Sequence, residues 1–309
     1  MSRRVAGLLA HVRPVFMLPV VATSVCGAAL APSVSAGIAA QHAGAVGTAL
    51  FVAHLRDGFV DGHVRGEETP PLSVPAYRWA TAAAVAVALA LASSLAATAG
   101  VLAAASVLAL LCLALLHAPY LDRHPVPVTV DYALGIAVTL CGGFAAQAGG
   151  LTWGVLAVAA GVAALLSGIK VGLDRLDADF DASVGKRTVP VVASEGGATW
   201  VAVGCFAAAA LVVVGAIAGR VLPRLAALAL LPVAGCAVVT PAVAPRWAVR
   251  VQMALSYAFV GVLFVALCGG DCRGWRLVGR LASTVGQVQL YLVGRGPELV
   301  EHFPLTALL

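Results

Sequence analysis

Nine long apolar stretches constrain the fold of this chain more than any other feature. A helix needs about 20 mostly apolar residues to cross a bilayer, and only helices or closed barrels satisfy the backbone hydrogen bonds there. Alanine, valine, leucine and glycine dominate the stretches, and the mean hydropathy of the chain is +0.99. We therefore predict an all-α, polytopic integral membrane protein with about nine transmembrane helices around a central cavity. The stretches lie near residues 14–36, 40–56, 76–95, 97–117, 129–148, 151–173, 198–219, 222–243 and 248–268.

The composition changes after the last apolar stretch. Polar residues return from about Arg273, and Leu277, Leu281 and Val285 recur at helical spacing. This pattern is typical of an amphipathic interfacial helix, and a disordered tail is the alternative. We predict a nine-helix transmembrane domain over residues 1–270 and a separate C-terminal tail over residues 271–309.

The basic residues are divided unequally between the two sides of the predicted bundle. When the loops are assigned alternately, one side receives 13 of the 19 lysine and arginine residues. Because basic loops stay in the cytoplasm, we predict a multi-pass protein of the cell membrane whose N-terminus and acidic loops are cytoplasmic. The net charge of +5 is spread along the loops rather than gathered on one face, so no nucleic-acid partner is predicted. The predicted cytoplasmic loops cover residues 57–75, 118–128, 174–197 and 244–250.

Acidic residues are concentrated at two points, although only 11% of the chain is charged. Both clusters lie at predicted helix ends on the same side of the membrane. Ionisable groups at a bilayer edge are costly, so they are typical of a functional site. Their spacing puts the members of each cluster on one helix face: His54, Asp57 and Asp61 in the first, and Lys170, Asp174, Asp177 and Asp181 in the second.

This arrangement of carboxylates predicts a site for a metal-bound diphosphate. Two or three carboxylates on one stripe repel each other unless a cation lies between them. Mg²⁺ takes one or two carboxylates and completes its shell with water and substrate phosphates. Two stripes across a cavity would bind a diphosphate bridged by Mg²⁺, and nearby basic groups would neutralise it as it leaves. The alternative is that each cluster is a solvated helix end balanced by basic neighbours: Arg56, Arg175, Lys186 and Arg187.

The second cluster resembles a known family motif. It is similar to the second aspartate-rich motif of the UbiA superfamily of intramembrane prenyltransferases, including the Gly-Lys-Arg-Thr-x-Pro sequence that follows that motif. The matching residues are Asp174, Asp177 and Asp181, followed by Gly185, Lys186, Arg187, Thr188 and Pro190.

The first cluster matches the same family less completely. The first motif of the family runs Asn-Asp-x-x-Asp-x-x-x-Asp, and the second and fourth of its four matching positions here lack a carboxylate. Glu67 and Glu68, just beyond, are candidates to substitute. The matching residues are Asp57, Gly58, Asp61 and Arg65.

The resemblance covers roughly residues 10–268 and implies that residues 1–270 form a prenyltransferase domain. It implies Mg²⁺-dependent transfer of a polyprenyl group from its diphosphate to a lipophilic acceptor (a quinone, lipid, carotenoid or similar compound) within the membrane. The implied catalytic and metal-binding residues are Asp57, Asp61, Asp174, Asp177 and Asp181. The residues predicted to bind the diphosphate are Arg65, Tyr120, Arg123, Lys170, Lys186 and Arg187.

His54 and Asp131 are predicted to contact the acceptor or to transfer a proton. For His54 the alternative is a hydrogen bond between helices, and for Asp131 it is a helix N-cap.

Two other functional classes share some of these features. CDP-alcohol phosphotransferases use acidic membrane helices and Mg²⁺, and the segment from Asp57 to Gly62 resembles the start of their signature, but the required downstream acids are missing. A cation-coupled membrane transporter would carry acids near the bilayer midplane and an internal repeat, and neither pattern is found in the sequence.

Overall fold

The computed structural model describes residues 3–268, and the predicted tail over residues 271–309 lies outside this range. Within the described range the chain forms twelve α-helices and no β-strand. The helices are α1 (Arg3–Leu9), α2 (Pro14–Ala29), α3 (Ala36–Phe59), α4 (Val74–Thr98), α5 (Val101–Tyr120), α6 (Pro125–Ala148), α7 (Trp153–Asp174), α8 (Ala178–Ser183), α9 (Val189–Val192), α10 (Glu195–Ala218), α11 (Leu230–Ala242) and α12 (Pro245–Cys268).

Eight of the helices in the described range are long and apolar enough to cross a membrane, namely α3–α7 and α10–α12. This result confirms the all-α, multi-pass architecture. The first predicted stretch, residues 14–36, forms a shorter helix, because α2 has 16 residues and ends at Ala29. Pro32 disfavours helical backbone at the residue before it, so the chain turns shortly after Leu30. A helix of this length extends about 24 Å, less than the hydrocarbon core of about 30 Å.

Helices α6 and α7 lie at the centre of the bundle. Most of α6 and more than half of α7 is buried, whereas most of α4 and α10 faces outward. Helix α7 packs against α6 and α10, and α2 packs against α6. The outward faces carry exposed apolar side chains such as Leu211, Leu231 and Val238, as expected for surfaces in contact with lipid tails.

Two glycines let α2 and α6 approach closely. A Cβ atom on Gly27 would overlap the backbone oxygen of Leu140, and a Cβ atom on Gly143 would overlap the backbone oxygen of Ser24. The contact is reciprocal, since each helix supplies one glycine and one carbonyl. Small residues at such positions allow membrane helices to pack backbone against backbone.

A buried hydrogen-bonded chain joins α2, α3 and α5. The Ser106 hydroxyl donates to the backbone oxygen of Ala103 at 2.7 Å and therefore accepts from His42 Nε2 at 3.0 Å. His42 Nδ1 then accepts from the Ser24 hydroxyl at 2.7 Å. Every polar atom of the His42 ring is thereby satisfied in an apolar interior, which links three helices.

The two acidic clusters lie at the same end of the bundle. Helix α3 continues as a π-helical turn over Val60–Arg65, which ends at Gly66 with a φ of 71°. Helix α7 ends at Asp174 and is followed by the short helices α8 and α9. A contact between the segments after the two motifs fixes this placement, because Lys186 Nζ lies 3.3 Å from Glu67 Oε2.

Candidate active site

We call the group of carboxylates at this end of the bundle the acidic mouth. Asp57 interacts electrostatically with Lys186 of the second motif, and Asp174 interacts with Asp131. The two motifs, far apart in sequence, therefore form one site. The acidic mouth comprises Asp57, Asp61, Glu67, Asp122, Asp131, Asp174 and Asp181.

Arg65, the last residue of the first motif, lies among three carboxylates. Its Nη1 atom lies 3.3 Å from Asp61 Oδ1 and 3.7 Å from Glu67 Oε1, and its Nη2 atom donates to Asp122 Oδ2. The side chain of Arg65 is 11% exposed, and those of Glu67 and Asp122 are 8% and 5% exposed. The guanidinium is therefore enclosed by carboxylates rather than directed into solvent.

Glu67 belongs to the mouth and Glu68 does not. Glu67 is held between Arg65 and Lys186, whereas Glu68 is exposed. Burial raises the pKa of the Glu67 carboxyl, and the positive charges of Lys186 and Arg65 oppose that shift. Of the two acids suggested as substitutes in the first motif, the structure brings only Glu67 to the site.

The second motif does not form the single helical face that its spacing predicts, and that prediction was wrong. Helix α7 ends at Asp174, and Asp177 is exposed at the start of α8. An unbroken helix would carry Asp181 about 10 Å beyond Asp174. The turn instead returns Asp181 to the mouth, where it is buried and interacts electrostatically with Asp174.

The residues after the second motif hold Asp181 in place. Gly185 has a φ of 76°, a left-handed backbone conformation that glycine adopts readily, and the chain reverses direction there. The Lys186 amide then donates to the Asp181 backbone oxygen at 2.9 Å, and the Thr188 hydroxyl donates to Asp181 Oδ2 at 3.2 Å. Burial raises the pKa of the Asp181 carboxyl, whereas Lys186 and the Thr188 hydrogen bond lower it. Pro190 lies in the first turn of α9, where its missing N–H costs no hydrogen bond.

His117 is a site residue that the sequence reasoning missed. Its Nδ1 atom pairs with Asp131 Oδ2, and its Nε2 atom lies 3.8 Å from Asp57 Oδ1. The imidazole therefore joins α3, α5 and α6 at the mouth. Asp131 is buried several residues inside α6, so it is not the N-cap of that helix, which is His124.

The other predicted residues lie at different depths. Lys170 pairs with Asp174 one helical turn later, as their spacing predicts. Tyr120, Arg123 and Arg187 are exposed. His54 is buried, and its Nδ1 atom donates to the backbone oxygen of His11 at 3.0 Å, so it makes a structural hydrogen bond from α3 to the turn between α1 and α2.

Several oxygens of the acidic mouth are buried without a hydrogen-bond partner. They are Asp57 Oδ1, Glu67 Oε1, Asp122 Oδ1 and Asp174 Oδ2. Buried carboxylate oxygens are costly unless a cation or donor reaches them, so they fit a hard divalent ion. Across residues 3–268, no three His, Cys, Asp or Glu side chains are grouped closely enough to form a metal site by themselves. Any such ion would therefore need ligands from water or substrate.

An apolar cavity of about 250 Å³ lies between α5 and α6. It is in the half of the bundle away from the acidic mouth, since its lining includes Leu102 and Ser106 near the start of α5 and Ala145 near the end of α6.

Solved structures of several membrane proteins resemble this fold over nearly its whole length. A UbiA homologue from Archaeoglobus fulgidus bound to GPP and Mg²⁺ has a TM-score of 0.66 at 15% identity, covering 87% of this chain and 100% of that one. A digeranylgeranylglyceryl phosphate synthase has a TM-score of 0.65 at 12% identity, covering 86% of this chain and 99% of that one. The apo structure of a UbiA homologue from Aeropyrum pernix K1 has a TM-score of 0.59 at 22% identity, covering 82% and 96%.

No protein-family model matches the chain, and no curated protein matches it significantly in sequence. The similarity is therefore one of architecture. The helical bundle, with both acidic motifs at one end, has the same fold as these UbiA homologues, which is the fold that the resemblance of the second motif implies.

Proposed function

We propose that this chain is an intramembrane prenyltransferase that transfers a polyprenyl group from its diphosphate to a lipophilic acceptor. The observation that carries the proposal is the convergence of two acidic motifs on one mouth, where Asp57 Oδ1 and Asp174 Oδ2 are buried and have no hydrogen-bond partner. Structures with the same fold contain GPP or DMAPP together with Mg²⁺, which supports the same substrate class here. We also propose that the mouth faces the cytoplasm, in line with the unequal distribution of basic loops.

Different residues of the acidic mouth would bind the metal ion and the diphosphate. Asp174 and Asp181 of the second motif, together with Asp57, are the carboxylates that would hold Mg²⁺. Lys170 and Lys186 border these acids and would contact the diphosphate oxygens. When bound, Mg²⁺ would neutralise the diphosphate and act as a Lewis acid on the leaving group.

The apolar helices of the bundle would keep water away from the reaction. An allylic cation must be kept from water until the acceptor attacks, and the side chains that the spanning helices bury beneath the mouth are mainly apolar. The acceptor would enter from the lipid, since the outward faces of the bundle are apolar. Asp131 and His117 lie within the spanning helices α6 and α5, so we propose that they face the acceptor end of the site.

The direct test is release of diphosphate by the protein in membranes. Membranes containing the chain, incubated with labelled geranyl or geranylgeranyl diphosphate, are expected to release diphosphate and form a lipid-soluble product. Activity should disappear with excess EDTA and return with Mg²⁺ or Mn²⁺ but not with Ca²⁺, which prefers more ligands at longer distances. Full activity in EDTA would contradict the metal-dependent reaction. Cation uptake without diphosphate release would favour the transporter alternative.

Thr188 provides a test of how Asp181 is positioned. Replacing Thr188 with valine keeps its shape but removes the donor to Asp181 Oδ2. Since a hydrogen bond to a charged group contributes about 1.5–3 kcal/mol, turnover should fall about tenfold or more. Thr188→Ser keeps the hydroxyl and is expected to retain most of the activity. Equal activity of the valine and serine variants would show that this hydrogen bond does not position Asp181.

A further inference from the structure

Arg65 lies where a metal ion would be expected in the first motif. Its two terminal nitrogens contact three carboxylates, those of Asp61, Glu67 and Asp122. Lys186 supplies a second positive charge to Glu67. The first motif thus already holds two basic side chains against these three carboxylates, while its remaining carboxylate, Asp57, lies 3.8 Å from His117 Nε2.

The basic groups of the second motif are lysines, with Lys170 at Asp174 and Lys186 acting on Asp181. Asp174 and Asp181 are both buried, and Lys170 is the basic side chain paired with Asp174. The other oxygen of Asp174 has no partner. Asp174 therefore offers a buried carboxylate oxygen that an added cation would satisfy.

A divalent ion on Asp61 would lie beside the guanidinium of Arg65. Arginine does not lose its proton in proteins, so the repulsion cannot be relieved by deprotonation. Displacing the side chain would leave Asp122 without its ion-pair partner and Glu67 with Lys186 alone, although each acid already has one buried oxygen with no hydrogen bond. The repulsion from Arg65 and the cost of displacing its side chain both disfavour a metal ion in the first motif.

We propose that Arg65 is a built-in cation that replaces one divalent ion, so that this chain binds a diphosphate with one metal ion, held by Asp174 and Asp181 together with Asp57. The inference rests on the proposed function and specifies its metal content. Arg65 is then a positioning residue rather than a diphosphate ligand, because its terminal nitrogens pair with carboxylates.

The number of bound ions tests this directly. The purified full chain in detergent is dialysed against Mn²⁺ and labelled inorganic pyrophosphate, and both are counted per chain. The wild-type chain is expected to hold about one Mn²⁺ per pyrophosphate. Asp61→Asn should leave that ratio unchanged, whereas Asp174→Asn should remove the bound Mn²⁺.

Substitutions at Arg65 provide the second arm of the experiment. Arg65→Asp places a fourth carboxylate among the other three and should raise the ratio to about two Mn²⁺ per pyrophosphate. Arg65→Lys keeps the charge and should leave it at about one. Arg78→Asp reverses an exposed charge on α4 and is the matched control, with a ratio unchanged from wild type.

The outcomes separate this inference from the proposed function. Two Mn²⁺ per pyrophosphate in the wild type, or loss of Mn²⁺ in Asp61→Asn, would overturn the role of Arg65 while leaving prenyl transfer intact. No binding of Mn²⁺ or pyrophosphate by the wild type would overturn the proposed function itself. The wild-type and asparagine measurements decide the question even if Arg65→Asp does not fold.

Discussion

Replacing Asp174 with asparagine is expected to reduce prenyl transfer at least about 100-fold, because loss of one charge partner of the transition state commonly has an effect of this size. The substitution keeps the shape of the side chain and removes only its charge. Asp174 is 5% exposed and has one oxygen without a partner, so it is the carboxylate most suited to hold an added cation. The measurement is the rate of diphosphate release in membranes containing equal amounts of protein.

Asp179 provides the matched control for this experiment. It lies in the same acidic segment but is exposed, so Asp179→Asn should react at nearly the wild-type rate. Size-exclusion profiles of both variants in detergent should match that of the wild type, which would separate lost chemistry from lost folding. Near-normal turnover in Asp174→Asn would remove the second motif from the mechanism.

Replacing Gly27 with valine is expected to abolish folding of the bundle. A Cβ atom at this position would overlap the backbone oxygen of Leu140, and the backbone cannot move aside as a side chain can. Overpacking in a core usually costs about 1–3 kcal/mol, and a clash with backbone falls at or above the upper end. We expect a large loss of monodisperse protein after detergent extraction.

Substitutions at Gly143 and Gly44 test whether the close approach of α2 and α6 explains this loss. Gly143→Val should fail in the same way, since its Cβ atom would overlap the backbone oxygen of Ser24. Gly44 lies in α3, and a Cβ atom there would have no neighbouring atom within 4 Å, so Gly44→Ala should extract normally. Normal yields of the Gly27 and Gly143 variants would mean that α2 and α6 do not need to approach so closely.

The apolar stretches were sufficient to predict the multi-pass fold, because span length and composition are local properties of the sequence. The end of α2 was harder to place, since the apolar residues continue past Ala29 and only Pro32 marks the turn. The contact between Gly27 and α6 depends on how distant helices pack, and no local pattern reports it.

The sequence indicated which acidic residues form the candidate site, but it was a poorer guide to how they are arranged. The prediction that Asp177 shares a helix face with Asp174 assumed that α7 continues. The helix instead ends at Asp174 and leaves Asp177 exposed. Asp122 and His117 join the mouth only because α5 ends beside α3 and α6. Such residues have no spacing relation to either motif, so their role follows from tertiary structure alone.

Each acidic motif contains one ion pair within its own helical segment, and this has a consequence for how the protein is made. Asp61 pairs with Arg65, and Asp174 pairs with Lys170, each across four positions. Such pairs can form as soon as one segment leaves the ribosome, before any other helix is available. Each segment can therefore be delivered to the bilayer with one carboxylate already neutralised. The ion pair between Lys186 and Glu67 joins residues 119 positions apart, so it can form only after the second motif has been synthesised.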